Sequence, residues 1–198
     1  DLKNLADWAA KTKLSVLQIL PINDTTANYT WTDSYPYAAI SVYALHPQYL
    51  SIEKLEYPLT KELEKDFKAE KAALNDLSLI DYEKMISGKW KFIRAIFETN
   101  KDKILKDRNF KKFIKENEDW LVPYSAFCVL RDKYKTPNFN DWKTHKKYIA
   151  GKIALFFSAK SKDYENSMLH AWVQYQLHLQ LKDAIDYTHD LGISVKGD

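Results

Sequence analysis

Apolar positions at both ends of the chain follow the same order, a helix and then a short strand. The first helix is predicted over residues 2–13, whose apolar face carries Leu2, Leu5, Ala6, Ala9 and Ala10. A branched apolar run over 15–20 follows it as a strand. A second helical pattern over 161–190 has apolar residues on two sides, so we expect it to be largely buried. Gly192 ends this helix, and residues 193–195 follow as a strand.

Two such units predict consecutive parallel strands with right-handed helical crossovers, and therefore an α/β fold. The alternative is a chance likeness of the two ends. The long segment between them is anomalous as a structureless loop, so it should be an insertion with its own core. We therefore divide the chain into residues 1–57 (helix, strand and loop), 58–160 (helical insertion) and 161–198 (helix and strand).

The insertion contains several helical patterns. The clearest is an apolar stripe with Asp81 as its N-cap, made of Tyr82, Ile86, Trp90, Ile93 and Phe97. Looser patterns follow Pro58 and cover 102–116, and another helix runs from Trp120 to Arg131 with Cys128 on its apolar side. Asp141 is a candidate cap for a shorter helix that extends to Tyr148.

A polar loop rich in aromatic rings follows the first strand. Its rings are Tyr29, Trp31, Tyr35 and Tyr37. Flat apolar faces with polar rims suit a sugar, and Ser34 and Asp33 could bind its hydroxyls. The alternative is that these rings pack beneath the insertion.

Carboxylates follow each predicted strand. Asp24 comes after the first and Asp198 after the second, so parallel strands would place both at one edge of the sheet. Such aspartates could bind sugar hydroxyls or steer another acid. Asp24 could equally cap a turn through its own backbone, as Asn-Asp-Thr sequences often do.

Composition restricts the partners and cofactors. The net charge is only +3 and the chain has three arginines and four glycines, which argues against nucleic-acid binding and a phosphate-cradling loop. The five histidines have no metal-ligand spacing, so we expect no metal and no cofactor. No apolar run could span a membrane, and a single cysteine fits a reducing compartment, so we expect a cytoplasmic protein. The chain begins at Asp1 and ends at a strand, which suggests a fragment.

Three short motifs resemble those of the 4-alpha-glucanotransferases, the amylomaltases or disproportionating enzymes of glycoside hydrolase family 77. They are Leu20-Pro21-Ile22-Asn23-Asp24-Thr25, Asp33-Ser34-Tyr35-Pro36-Tyr37 and Ser41-Val42-Tyr43-Ala44-Leu45-His46-Pro47. The run from His178 to Asp198 is also similar to that family. The resemblance implies a fragment of a (β/α)8 barrel with a large helical insertion between its second and third strands. The outer segments, 1–57 and 161–198, would then be barrel helices and strands.

The resemblance also implies a retaining transfer of α-1,4-glucan segments to a sugar acceptor. The catalytic carboxylates would follow Asp198, so no catalytic residue is expected in this chain. Tyr37 and Ser34 match family residues near the reacting sugar, and Asp198 matches a substrate-contacting aspartate. Asp24, Asp33 and Trp31 are further candidates for substrate binding. The alternative is a non-catalytic helical carbohydrate-binding or interaction module, and exposed strand edges could let a fragment self-associate.

Overall fold

The computed structural model describes all 198 residues and contains seven α-helices and two short strands. In chain order these are α1 (Leu2–Lys11), β1 (Val16–Gln18), α2 (Lys61–Asn75), α3 (Tyr82–Ile104), α4 (Arg108–Glu116), α5 (Glu118–Tyr134), α6 (Ala150–Ala154), α7 (Tyr164–Asp190) and β2 (Ser194–Lys196). None of the helices combines the length and the apolar character that crossing a membrane requires.

The two strands pair in parallel, which confirms the arrangement predicted from the repeated ends. Leu17 lies opposite Val195, and Ile19 donates its N–H to the carbonyl of Lys196 over 2.9 Å. Helix α1 packs against this pair through a small cluster that includes Ala9 and Ile193. Each strand has only one neighbour and spans three residues, so Val16 remains 54% exposed.

The main core lies among the helices between the two strands. Helices α3, α4, α5 and the first half of α7 enclose a cluster of 24 buried residues. Trp172 of α7 is 1% exposed and packs against Phe97 of α3, with 5.8 Å between the ring centroids. Cys128 is also buried here, as its apolar neighbours predict.

Helix α7 is buried over only half of its length, so the prediction of a largely buried helix is wrong for its second half. Residues 167–177 are buried, whereas Leu179 is 40% exposed. The first half is surrounded by helices from the segment between the two strands, but the second half is flanked by α1, to which it is tied by the Lys3–Asp183 ion pair at 2.8 Å. The spacing of apolar residues indicates which faces of a helix can be buried. Which faces are buried depends on how many other elements pack around the helix.

The helices between the two strands follow the predicted patterns in part. Asp81 caps α3 by accepting a hydrogen bond from the Lys84 N–H at 3.0 Å. The looser pattern over 102–116 is divided between the end of α3 and α4, because the side chain of Asp107 caps a new helix. The predicted helix from Asp141 is wrong: one 3₁₀ turn covers Phe139–Asp141, and His145 has a φ of 63°, which an α-helix does not accommodate.

Candidate functional site

The polar loop after β1 is closed at its base and fastened to α7. Asp24 donates its N–H to the carbonyl of Ala44 at 2.8 Å, which brings the two ends of the loop together. Gln174 of α7 then binds both backbone groups of Leu45, each over 2.8 Å. The loop backbone is therefore held by a side chain of a buried helix, which fixes the position of the side chains that the loop carries.

We call the hydrogen-bonded base of this loop, residues 24–33 with Tyr124, Arg131 and Gln174, the loop frame. Asp24 lies inside this frame and is 1% exposed. One carboxylate oxygen accepts the Thr26 N–H at 2.9 Å, and the other accepts the Tyr124 hydroxyl at 2.6 Å. Burial and the nearby Asp24 charge raise the pKa of Tyr124 well above its ordinary value, so this phenol remains a donor. The geometry is that of the turn-capping alternative, with α5 supplying the second partner.

Asp33 is similarly enclosed, at 4% exposure. One of its carboxylate oxygens accepts the backbone N–H groups of Ala27, Asn28 and Tyr29, at 3.0, 2.9 and 2.6 Å. Three convergent N–H groups form a nest that fits a carboxylate, and they hold Tyr29 at a positive φ of 59°. Asp33 therefore shapes the backbone from which the exposed rings project.

Arg131 also belongs to the loop frame, although the sequence pattern predicts only its place on a helix. It is 2% exposed and donates to the Thr26 carbonyl and the Tyr29 hydroxyl, both at 2.5 Å, and to Asp132 at 2.9 Å. Burial opposes ionisation of Asp132, but hydrogen bonding by His170 and the charge of Arg131 hold its pKa below the usual range. The signal in the sequence is an arginine next to Leu130 in an apolar helix. Such an arginine is expected to be buried, and a buried arginine requires hydrogen-bond or charge partners.

Three aromatic side chains of the loop face solvent, in contrast to the frame beneath them. Trp31 is 70% exposed, Tyr35 60% and Tyr37 56%. The rings of Tyr35 and Tyr37 lie 5.7 Å apart, and the Ser34 hydroxyl donates to the Trp31 carbonyl at 2.7 Å. Of the four rings, only Tyr29 packs inward against the helical core. The other three form the surface that we call the aromatic face (Trp31, Tyr35 and Tyr37).

Tyr37 and Asp198 meet although 161 residues separate them in the chain. The Tyr37 hydroxyl donates to a carboxylate oxygen of Asp198 at 2.6 Å, at the carboxyl end of β2. This hydrogen bond raises the pKa of Tyr37, so the phenol stays protonated. The structure thus joins the aromatic face to the end of the second strand and places Ser34 in the same turn as Trp31. Asp24 and Asp33 lie below, in the frame.

Tyr37 and Asp198 can together bind a polyhydroxylated ligand through complementary groups. A carboxylate accepts hydrogen bonds from hydroxyls, a phenol both donates and accepts, and exposed rings cover the apolar face of a sugar. The chain has no group of three or more histidine, cysteine, aspartate or glutamate side chains placed to hold a metal ion.

Comparison with known proteins identifies the family. The model of glycoside hydrolase family 77, described as 4-alpha-glucanotransferase, matches residues 1–198. The 4-alpha-glucanotransferase DPE2 of Oryza sativa subsp. japonica is 37% identical over the whole chain, and that of Chlamydia muridarum is 32% identical. The chain spans 21% and 36% of the length of these two relatives.

Solved structures give the same fold. The amylomaltase from Corynebacterium glutamicum superposes with a TM-score of 0.73 at 21% identity, covering 98% of this chain and 26% of that one. The amylomaltase from Streptococcus agalactiae in complex with acarbose superposes with a TM-score of 0.69 at 20% identity, covering 100% of this chain and 38% of that one. The family resemblance seen in the sequence motifs is therefore confirmed, and the chain belongs to glycoside hydrolase family 77, the 4-alpha-glucanotransferases.

Proposed function

We propose that the chain is part of a 4-alpha-glucanotransferase and supplies a surface that holds the glucan. The observation that carries this proposal is the hydrogen bond between Tyr37 and Asp198 beside the aromatic face. The parent enzyme would transfer α-1,4-glucan segments to a sugar acceptor by a retaining double displacement. Its nucleophile and acid/base would be carboxylates outside these 198 residues, so the chain by itself would be inactive.

The proposed place of the chain in the enzyme is the first part of a (β/α)8 barrel. Residues 1–57 and 161–198 would provide barrel helices and the second and third strands, with 58–160 as the helical insertion. Support comes from the parallel register of β1 and β2, from the helices α2 to α6 between them and from the amylomaltase fold neighbours. In a barrel the substrate binds at the carboxyl ends of the strands, which is where Asp198 follows β2.

Sugar binding would use the exposed groups and leave the buried ones in place. A glucose hydroxyl would donate to Asp198 while Tyr37 keeps its position beside it, and Trp31 and Ser34 would contact neighbouring sugar units. Asp24 and Asp33 contribute through the frame, because their oxygens already accept hydrogen bonds from the protein. A cytoplasmic location and self-association through the strand edges stay predictions.

Titration with maltoheptaose tests whether the Tyr37 hydroxyl takes part in binding. The isolated chain should bind it weakly, with a dissociation constant in the millimolar range, and Tyr37→Phe should weaken binding about tenfold, as expected for a hydrogen bond to a charged group. Tyr35→Phe is the matched control, because its exposed ring is similar and its hydroxyl has no described partner. Chemical-shift titration of the tryptophan indole N–H groups measures both affinities.

Two results would contradict the proposal in different ways. Equal effects of the Tyr37 and Tyr35 substitutions would remove the Tyr37–Asp198 pair from the binding site. Micromolar binding by the isolated chain would instead favour the alternative, a carbohydrate-binding module complete in itself.

A further inference from the structure

A polar cavity lies between α3, α5 and the start of α7, and no residue of the aromatic face lines it. Its volume is about 420 Å³, and seven of its eight lining residues are polar or charged. Arg94, Lys133 and Lys162 contribute cations, while Asp132 and Asp163 contribute carboxylates. We call it the basic cavity, because three cations line it against two carboxylates, and one of these, Asp132, also pairs with the buried Arg131 at 2.9 Å.

These cations have few partners within the protein. Lys133 and Lys162 make no hydrogen bond or ion pair, and Arg94 approaches Asp132 only to 3.7 Å. The guanidinium of Arg94 instead lies 5.4 Å from the ring centre of Trp90, which orients it without using its donors. The three cations of the lining outnumber its two carboxylates, and a bound anion would balance the remaining positive charge.

The amino end of α7 adds oriented donors to the same cavity. Asp163 occupies the N-cap position but makes no capping hydrogen bond with its side chain. The backbone N–H groups of Glu165 and Asn166 have no acceptor in the protein, and Asn166 lines the cavity. The free N–H groups and dipole of a 27-residue helix favour an anion at this end.

His170 contributes an imidazole to the same cavity wall. It is 3% exposed and lines the cavity, with Nε2 3.5 Å from Asp132. An imidazole on the wall of the cavity is a further polar group that can hydrogen-bond to a ligand.

We propose that the basic cavity binds a phosphate group, either inorganic phosphate or the phosphate of a hexose monophosphate. Arginine offers a planar fork that matches phosphate oxygens, and lysines and helix N–H groups complete a mixed set of donors. The volume lies in the range of small-molecule sites, so a sugar attached to the phosphate fits. The scarcity of arginine and glycine in the sequence argues against nucleic-acid binding and against a phosphate-cradling loop, whereas here the fold assembles donors from three helices.

The three arginines make a direct experiment possible, because the side-chain Nε–Hε spectrum of the chain contains only three signals. Inorganic phosphate, added at constant ionic strength, should shift the Arg94 signal with a saturating curve. The signal of Arg108, which is exposed on α4, should stay unchanged. A parallel titration with a hexose monophosphate, and one with glucose, separates the two sources: tighter binding of the ester than of phosphate identifies the sugar phosphate as the better ligand.

A lysine pair provides the mutational control. Lys162→Gln should weaken phosphate binding about tenfold, as for loss of one charged hydrogen bond, whereas Lys160→Gln, exposed and outside the cavity, should leave it unchanged. Lys162 makes no contact that the fold depends on, so its loss does not threaten folding. Linear, parallel shifts of Arg94 and Arg108, or equal effects of the two lysine substitutions, would overturn the proposal.

Discussion

Replacement of Arg131 by methionine is expected to lower the free energy of unfolding by about 3–5 kcal/mol, the range for breaking a buried ion pair. The substitution keeps much of the side-chain volume but removes the donors to Thr26, Tyr29 and Asp132. It leaves the buried Thr26 carbonyl and the partly buried Tyr29 phenol without their arginine partner. Urea unfolding followed by circular dichroism measures the loss directly.

Arg94→Met is the matched control for this experiment. Arg94 also faces Asp132, but at 3.7 Å and with 44% of its side chain exposed, so its loss should cost less than about 1 kcal/mol. The two substitutions remove the same charge from the same carboxylate and differ in burial. Similar small effects would show that the Arg131 hydrogen bonds do not stabilise the loop frame.

The Arg131 substitution should also affect the aromatic face, because the frame and the face belong to one segment. Tyr29 is held from below by Arg131, and two residues later Trp31 projects into solvent. Loosening of residues 26–29 would increase the mobility of the rings that follow. We therefore expect weaker maltoheptaose binding by Arg131→Met under conditions where the variant is still folded.

The second large effect is expected at Asp198, in a longer chain that carries these residues together with the rest of the family's catalytic domain. Asp198→Asn keeps the shape of the side chain but removes the negative charge of the carboxylate. That carboxylate accepts a hydrogen bond from Tyr37 and, in our proposal, from a sugar hydroxyl. The specificity constant kcat/KM for maltotriose should fall about 10- to 100-fold, as for loss of a hydrogen bond to a charged group. Asp190→Asn, at the exposed end of α7, is the control.

The parts of the fold that the sequence predicted depend on local patterns. The repeated ends, the parallel strands and the helix that begins after Asp81 follow from apolar spacing and capping residues within a few positions of each other. The family motifs at the two ends of the chain contain Tyr37 and Asp198. Their direct contact is a feature that only the structure supplies.

The parts that the sequence did not predict depend on distant partners. Asp24 is buried because Tyr124, 100 residues away, donates to it, and Asp33 because three backbone N–H groups converge on it. A carboxylate after a strand looks the same in sequence whether it faces solvent or a nest of donors. The basic cavity likewise combines residues from α3, α5 and α7, which no single stretch of sequence contains.

The central claim is that these residues hold the glucan while the reacting carboxylates lie elsewhere in the enzyme. The most direct test is glucose release from maltotriose, measured in parallel for the 198-residue chain and for the longer chain that includes the rest of the catalytic domain. We expect transfer by the longer chain, a large loss of its activity with Asp198→Asn, and no transfer by the 198 residues alone. Measurable transfer by the 198-residue chain, or full activity of the Asp198→Asn enzyme, would contradict the claim.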